Sequence, residues 1–250
     1  MAHALPIHRV RAVNIARDSE NRIHADDVAA QYGFRAGLVA GVTVYGYMTE
    51  PIIACAPGWL EHGAMQVRLL EPFYDGDQVV VKSETQDDGS VVVTAEREDG
   101  TVCARGSAIA SPKPVEPPET IPEAPLPSRD QRPVPTPDTV RPGALLGSFT
   151  TTLESAAQDR LLQLSNDILI QNFRLGPWIH VSSDLRNWSA AKPGDRISVR
   201  GRIVDRFDRK GHEFVVADVM LITDIRRLLQ SVRHTAIYRL RSPGDGVPAH

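Results

Sequence analysis

The sequence predicts an α+β protein built from two copies of one unit, each an antiparallel sheet wrapped around a central helix. Residues 59–110 and 178–240 both begin at a tryptophan, pass through a Gly-Asp turn and continue with alternating β-branched residues. This pattern predicts four antiparallel strands in each block. Each block also follows a helical segment, and a recurrence of this kind indicates internal duplication.

The predicted helices differ between the two units. In the first unit, the segment ADDVAAQYG predicts a short helix with acidic residues at its start and a glycine at its end. An apolar helix follows at about 41–56, where Gly41 and Gly46 permit close contact with a sheet or a ligand. In the second unit, the central helix is predicted at about 154–166 and lacks such glycines, so the units are not equivalent.

A proline-rich segment separates the units. Residues 112–142 hold 11 of the 19 prolines, and proline removes backbone donors and fixes φ, so we predict an extended linker. The predicted division is an N-terminal unit at 1–111, this linker, a C-terminal unit at 143–241 and a flexible tail at 242–250. If the two sheets joined edge to edge, their exposed edges would be covered.

The composition gives no support for several kinds of partner. The net charge of −3 and the pI of about 6.2 do not favour nucleic acid, whose phosphates require clustered Lys and Arg. Cys55 and Cys103 form no CxxC pair, and no His/Cys cluster has metal-ligand spacing. The chain also lacks a phosphate loop, a dinucleotide fingerprint and a Gly-x-Ser-x-Gly elbow. We therefore expect no metal and no organic cofactor.

The apolar segments do not predict a membrane protein. The first residues lack an apolar stretch of signal-peptide length. The longest apolar region, 38–56, is interrupted by two glycines, Glu50 and Pro51, which makes it a poor membrane span. We expect a cytoplasmic protein.

Residues 19–24 read Ser-Glu-Asn-Arg-Ile-His, and residues 37–42 read Gly-Leu-Val-Ala-Gly-Val. This pair of segments resembles the MaoC-like, R-specific enoyl-CoA hydratases of the hotdog superfamily, which carry Asp-x-Asn-Pro-x-His and then Gly-x-x-x-Ile-Val-His-Gly-Met. The linker and the second four-strand block resemble double-hotdog members, in which one unit keeps the site and the other has lost it. The sequence departs from the family at three positions, where Ser19 replaces Asp, Arg22 replaces Pro and Ala40 replaces His.

The resemblance implies a hydratase or dehydratase, a hydro-lyase acting on an acyl thioester such as enoyl-CoA or 3-hydroxyacyl-CoA. It implies that His24 is the base, that Asn21 contacts substrate and that the Gly41 N–H polarises the thioester carbonyl. Because Ser19 stands where the family has aspartate, Asp18 or Glu20 is the candidate second proton carrier.

The same resemblance implies a binding pocket along the apolar helix. We expect its lining to include Val42, Tyr45, Gly46 and Tyr47, and we expect it to accept an apolar acyl chain on CoA or on a carrier protein. Since two hotdog units are supplied by one chain, both a monomer and a homodimer are consistent with the fold.

The sequence is also consistent with three alternatives to a hydro-lyase. Ser, Asn and Asp are ordinary turn and cap residues, so the local sequence around His24 also predicts a simple capped turn. A hotdog thioesterase would use a carboxylate such as Glu20 or Glu61 to activate water. A non-catalytic acyl-binding or assembly subunit is favoured by the departures at Ser19 and Ala40.

Four other histidines have weaker functional signals. His62 and His180 follow tryptophans in both units, and this recurrence favours a shared structural role. His212 falls in a predicted hairpin turn, where we expect it to be solvated. His234 lies on the last predicted strand, and the sequence does not determine which way it faces.

Overall fold

The computed structural model describes residues 3–56, 58–110, 113 and 115–241, so the predicted tail at 242–250 lies outside the described residues. The strands of the first half are β1 (His3–Ala4), β2 (His8–Arg11), β3 (Ala64–Leu69), β4 (Gln78–Thr85), β5 (Ser90–Glu96) and β6 (Val102–Ile109). Those of the second half are β7 (Leu145–Thr152), β8 (Ile179–Asn187), β9 (Arg196–Arg209), β10 (His212–Thr223) and β11 (Leu228–Arg239).

The helices within the described residues are α1 (Asp26–Gln31), α2 (Gly41–Cys55), α3 (Trp59–His62) and α4 (Gln158–Asn172). The prediction for α2 is confirmed to within one residue. The prediction for α4 was wrong at both ends. The Ser155 hydroxyl accepts a hydrogen bond from the Ala157 N–H at 3.2 Å and forms a turn before the helix. At the other end, apolar residues continue the helical pattern to Asn172.

The eleven strands of the described chain form one antiparallel sheet in the order β1-β4-β5-β6-β3-β8-β11-β10-β9-β7, with β2 also paired to β4. The strand order β4-β5-β6-β3 of the first half is the mirror image of the order β8-β11-β10-β9 of the second half, as duplication predicts. The halves join where β3 pairs with β8, and Ala64 lies opposite Arg186. The predicted edge-to-edge joining is therefore confirmed, and the β3–β8 pairing covers one strand edge of each half.

The two fifteen-residue helices, α2 and α4, pack against each other and against the sheet. Gly46 permits their close approach, because a Cβ at this position would lie 2.9 Å from the Cβ of Asp159. A single large cluster of buried apolar residues includes side chains of both helices and of the strands around them. The contacts of α2 with α4 and with β8 bring this helix of the first half against the second half.

The described part of the proline-rich segment is irregular apart from a short 3-10 turn at Arg129–Gln131. It is nevertheless anchored to the second half of the sheet. Ile121 is buried against Met220 and Ile222, and the Ser148 N–H donates to the carbonyl of Ala124 at 2.9 Å. In the part of the chain that the structure describes, none of the helices has the length and apolar character that crossing a membrane requires.

Candidate active site

A cavity of about 280 Å³ lies at the N-terminal end of α2. Its walls come from both halves of the molecule: the turn at 21–24 and the start of α2 face the beginning of β8 and one side of α4. The wall is mostly apolar, with Phe34, Leu38, Val44 and Leu69 among the contributing side chains. A cavity of this size and character, with a few polar groups, is typical of a small-molecule site.

His24 is held in this cavity by two hydrogen bonds that define its tautomer. Its Nδ1 lies 2.6 Å from the carbonyl oxygen of Leu38, and because a carbonyl only accepts, Nδ1 carries the proton. Nε2 is then unprotonated, and it accepts from the Asn21 Nδ2 at 3.2 Å. Burial lowers the pKa of His24 from its ordinary value, while the bond to Leu38 acts in the opposite direction. The imidazole is therefore neutral at pH 7 and can accept a proton at Nε2.

Asn21 connects His24 to the second half of the molecule. This side chain is buried; its Nδ2 donates to the carbonyl of Trp178 at 2.9 Å, and its Oδ1 accepts from the Trp178 N–H at 3.1 Å. The same Oδ1 caps the 3-10 turn Arg22–His24 by accepting from the Ile23 N–H at 3.4 Å. The two predictions for this segment, a capped turn and a contact residue, are therefore compatible, because the capped turn brings Asn21 and His24 together.

The backbone around His24 is fixed by a second set of contacts. The Asn14 side chain donates to the His24 carbonyl at 2.8 Å, and the Gly37 N–H donates to the Asp26 carboxylate at 2.8 Å. A Cβ on Gly37 would lie 2.0 Å from the His24 carbonyl oxygen, so only glycine fits there. The backbone on either side of His24 is therefore tied by hydrogen bonds that do not involve its ring.

Gly41 is the first residue of α2 and lines the cavity. Its helix has Ala40 as N-cap, without a capping side chain. Within the described part of the chain, the N–H groups of Gly41 and Val42 have no acceptor. The unpaired donors and the positive end of the helix dipole can stabilise negative charge on an oxygen.

His180 contributes the opposite wall, which the sequence analysis did not predict. His62 is exposed on α3 near Glu61, whereas His180 is buried and lines the cavity. The expectation of a shared structural role was therefore wrong, because the two residues occupy different surroundings. Burial lowers the pKa of His180 to about 4.

His180 belongs to a buried chain of three polar side chains. The His180 Nε2 lies 2.9 Å from the Ser183 Oγ, and that Oγ lies 3.0 Å from the Nδ1 of His234. His234 faces inward and is fully buried; burial and then the neighbouring His180 lower its pKa well below its ordinary value. The signal that could have identified this chain is the presence of polar residues at inward positions of β8 and β11.

Two other polar residues line the cavity. His212 is partly buried rather than solvated as expected, because its Nδ1 accepts from the Arg241 N–H at 3.1 Å and its ring forms part of the cavity wall. Asn166 of α4 is buried, and its Oδ1 has no hydrogen-bond partner among the described residues. A bound ligand with a donor group could reach this oxygen.

The carboxylates singled out in the sequence do not line the cavity. Glu20 is exposed and pairs with Arg129 and Arg132 of the linker. Asp18 is exposed, and the Ser19 hydroxyl donates to the carbonyl of Asn21 at 3.3 Å. Glu61, the alternative carboxylate, lies on α3 and is exposed. Among the described residues, the carboxylate that lines the cavity is that of Glu71, which is itself exposed to solvent.

The apolar residues of α2 that were predicted to line the cavity lie on other faces of the helix. Val42 is buried in the core, the Tyr45 hydroxyl donates to the Gln158 Oε1 at 3.3 Å, and Gly46 faces Asp159. Tyr47 accepts from the Val13 N–H at 3.3 Å. Gly41, which the sequence analysis named as a binding residue, does line the cavity. Val44, one turn further along the same face of the helix, lines it as well.

The described residues contain no group of three or more His, Cys, Asp or Glu side chains that could hold a metal ion. The polar groups at the cavity are the imidazoles of three histidines, the amides of Asn21 and Asn166, the exposed Glu71 carboxylate and backbone N–H groups. Such a set can accept one proton, donate hydrogen bonds to an oxygen and surround an apolar chain.

Comparison with known proteins identifies the fold. No protein-family model matches the chain, and no curated protein matches it. A crystal structure described as a MaoC domain protein dehydratase from Chloroflexus aurantiacus J-10-fl aligns with a TM-score of 0.61 and 10% identity, over 96% of this chain and 95% of that one.

Two further solved structures show the same architecture. GphF dehydratase 1 aligns with a TM-score of 0.59 and 13% identity over 96% of this chain and 94% of that one. Acyl-CoA thioesterase II TesB2 from Mycobacterium marinum aligns with a TM-score of 0.59 and 14% identity, over 82% of this chain and 90% of that one. The chain has the double-hotdog fold of these proteins, as predicted, and at these identities the likeness shows the fold alone.

Proposed function

We propose that the protein is a hydro-lyase that adds water to, or removes water from, an acyl thioester such as an enoyl-CoA or a 3-hydroxyacyl-CoA. The observation that carries the proposal is the arrangement at one cavity of a neutral His24 with an unprotonated Nε2 and the unpaired N–H of Gly41. Hydration needs a base for water and a donor for the developing enolate oxygen, and this arrangement supplies both.

The reaction can be written with His24 as the one proton carrier. In the hydration direction, water replaces the Asn21 amide at the Nε2 of His24. Nε2 then takes a proton from this water while the hydroxide oxygen bonds to the β-carbon. The electrons of the double bond move onto the thioester oxygen, which the Gly41 N–H stabilises. The Nε2–H then gives its proton to the α-carbon, and His24 returns to its neutral form. We assign both transfers to His24 because Asp18 and Glu20 lie away from the cavity.

The apolar wall favours an acyl chain as the part of the substrate that the cavity binds. Val44, Leu38 and Phe34 present hydrocarbon to this space, and the burial of each additional methylene is worth about 0.8 kcal/mol. In this proposal the N-terminal unit, 1–111, carries the reactive residues, and the C-terminal unit, 143–241, contributes the opposite wall. The thioester is carried on CoA or on a carrier protein, and the chain acts as a monomer or a homodimer.

A thioesterase is the second candidate, because Glu71 at the cavity wall offers a carboxylate that could activate water against the carbonyl carbon. Glu71 is exposed to solvent, whereas His24 is held inside the cavity by two hydrogen bonds, and this favours the histidine as the base. An acyl-binding subunit without activity would use the same apolar wall, and His24 would have no catalytic role in it.

The test is incubation of the purified protein with straight-chain trans-2-enoyl-CoA thioesters of increasing length. Hydration removes the absorbance of the conjugated double bond without releasing thiol, and this is the expected result. Release of free CoA thiol with the double bond retained would identify a thioesterase. Saturable binding without either change would identify a binding subunit and overturn the proposal.

A further inference from the structure

The buried His180 has a ring nitrogen with no partner, directed at the start of α2. The described residues provide no hydrogen-bond partner for its Nδ1, although the residue is only 5% exposed. The position that a Cβ would occupy on Gly41 lies 2.9 Å from this nitrogen. Leaving a buried polar atom unpaired is destabilising, and a ligand that supplies the missing partner removes this cost.

We propose that His180 is a second catalytic hydrogen-bond donor, whose Nδ1–H joins the Gly41 N–H in holding the thioester carbonyl oxygen. The inference rests on the proposed function, since it assigns a further residue to the same site. A carbonyl oxygen has two lone pairs and accepts two such donors. The two donors are neighbours at the cavity, and each comes from a different half of the molecule.

Ser183 and His234 determine whether Nδ1 can donate. The Ser183 hydroxyl has one proton and contacts a ring nitrogen on each side, the Nε2 of His180 and the Nδ1 of His234. When this proton is donated to His180, the Nε2 is an acceptor and the single proton of the neutral ring resides on Nδ1. His234 then donates its own Nδ1–H to the serine oxygen. Ser183 and His234 are thus positioning residues that set the tautomer of His180.

The electrostatic surroundings are consistent with a neutral donor. Burial lowers the pKa of His180 to about 4, so the ring remains uncharged at neutral pH. A neutral imidazole polarises a carbonyl without transferring its proton, as in triosephosphate isomerase. Protonation of His180 would place a charge beside the positive end of α2, which the helix dipole disfavours.

Two variants of His180 separate this role from simple packing. In His180→Asn the amide nitrogen falls near the position of Nδ1, while in His180→Gln it falls near that of Nε2 and retains only the contact with Ser183. We expect kcat for enoyl-CoA hydration to fall about 10²- to 10³-fold in His180→Gln, as for the loss of one oxyanion donor. His180→Asn should stay within about tenfold of the wild type, because that donor is kept. His62→Gln, which changes the exposed histidine, is the matched control.

A measurement without turnover uses a conjugated 2,4-dienoyl-CoA, whose absorbance shifts to longer wavelength when its carbonyl is polarised. We expect the shift on binding to wild type and to His180→Asn, and a reduced shift with His180→Gln and with Ser183→Ala. Equal losses in the Asn and Gln variants would show that the ring only fills space and would overturn the inference.

The two proposals can fail separately. If the wild type hydrates enoyl-CoA and neither kcat nor the shift depends on position 180, the inference fails and the proposed function stands. If the wild type hydrates no member of the series but gives a shift that depends on His180, the proposed function fails and the carbonyl contact stands. Absence of both hydration and shift overturns both.

Discussion

The two central helices are equal in length and equivalent in topology, yet their first residues differ. α2 begins at Gly41, beside an open cavity, whereas α4 begins at Gln158, whose side chain is buried. The Gln158 Oε1 accepts from the Tyr45 hydroxyl at 3.3 Å and from the Gln230 Nε2 at 3.4 Å, and Gln230 also donates to Asn187 at 2.9 Å. One helix start is left open to a ligand, and the other is closed by protein side chains.

The histidines that follow the tryptophans of the two units show the same asymmetry. His62 is exposed, while His180 is buried in the cavity wall. A duplicated fold therefore keeps the backbone frame in both halves, and individual side chains decide which helix start can bind a substrate. The following changes test that conclusion, in order of expected effect.

Replacing His24 should have the largest effect on the open site. Removal of an essential acid–base group typically costs about 10²- to 10⁴-fold in rate, so His24→Ala should lower kcat by at least about 10²-fold. The fold should be retained, because the backbone of this loop keeps its contacts with Asn14 and Asp26. Stability should fall by about 1–3 kcal/mol, since the Leu38 carbonyl and the Asn21 amide lose the imidazole as a partner. Full activity in His24→Ala, beside an unaffected His62→Ala control, would refute the role of the turn as a site.

A side chain on Gly41 should make the open helix start resemble the closed one. The Cβ of Gly41→Ala would lie 2.3 Å from the Leu69 Cδ1 and 2.9 Å from the His180 Nδ1, so both neighbours must move. We expect kcat to fall about 10²-fold through loss of donor geometry, and stability to fall by about 1–3 kcal/mol through overpacking. Urea unfolding and steady-state kinetics measure the two effects, and unchanged kinetics would exclude Gly41 from the site.

The buried histidine should make stability depend on pH. The pKa of His180 is about 4 in the folded protein and about 6.5 when unfolded. Between these values the unfolded chain binds the additional proton, so stability is fully present above about pH 6.5 and is lost as the pH falls toward 4. The contribution of His180 is about 3 kcal/mol at most. His180→Asn should flatten this part of the pH profile, whereas a profile identical to that of the wild type would contradict the assignment.

Opening the closed helix start should destabilise the protein without creating a second site. Gln158→Gly leaves the Tyr45 hydroxyl and one Gln230 donor without this partner, which should cost about 1–3 kcal/mol in the free energy of unfolding. Turnover should stay near the wild-type value, because Gln158 does not line the cavity. A large fall in kcat with the fold intact would show that the two helix starts are coupled.

The carboxylates beside His24 should have the smallest effect. Glu20 is exposed, and it pairs with the exposed Arg129 and with Arg132, whose side chain is only 9% exposed. Because Arg132 also donates to the Ile170 carbonyl, Glu20→Gln should cost only about 1 kcal/mol. Neither Glu20→Gln nor Asp18→Asn should reproduce the kinetic loss of His24→Ala. If one of them did, the proton carrier would be a carboxylate and His24 would share the chemistry with it.

Much of the fold was predictable, because it depends on local patterns that recur. Alternating β-branched residues predicted the strands β3–β6 and β8–β11, and the apolar helix at about 41–56 is present as α2. The start of α4 was predicted less well, because Ser155 can serve either inside a helix or in the turn before it. Helix ends depend on single hydrogen bonds, and residue pattern alone does not specify those bonds.

The sequence by itself determined the duplicated unit and the capped turn, because each follows from a pattern within the chain. The grouping of Asn21, His24 and Gly41 was implied by the resemblance to a known family. Only the tertiary structure decided the opposite wall. Trp178 lies 157 positions from its partner Asn21, and the pairing of β3 with β8 joins the sheets of the two halves. It also decided which face of α2 lines the cavity and that Glu20 turns toward the linker. The physical reason is that these contacts depend on how two separately patterned halves pack together, and no local periodicity encodes that packing.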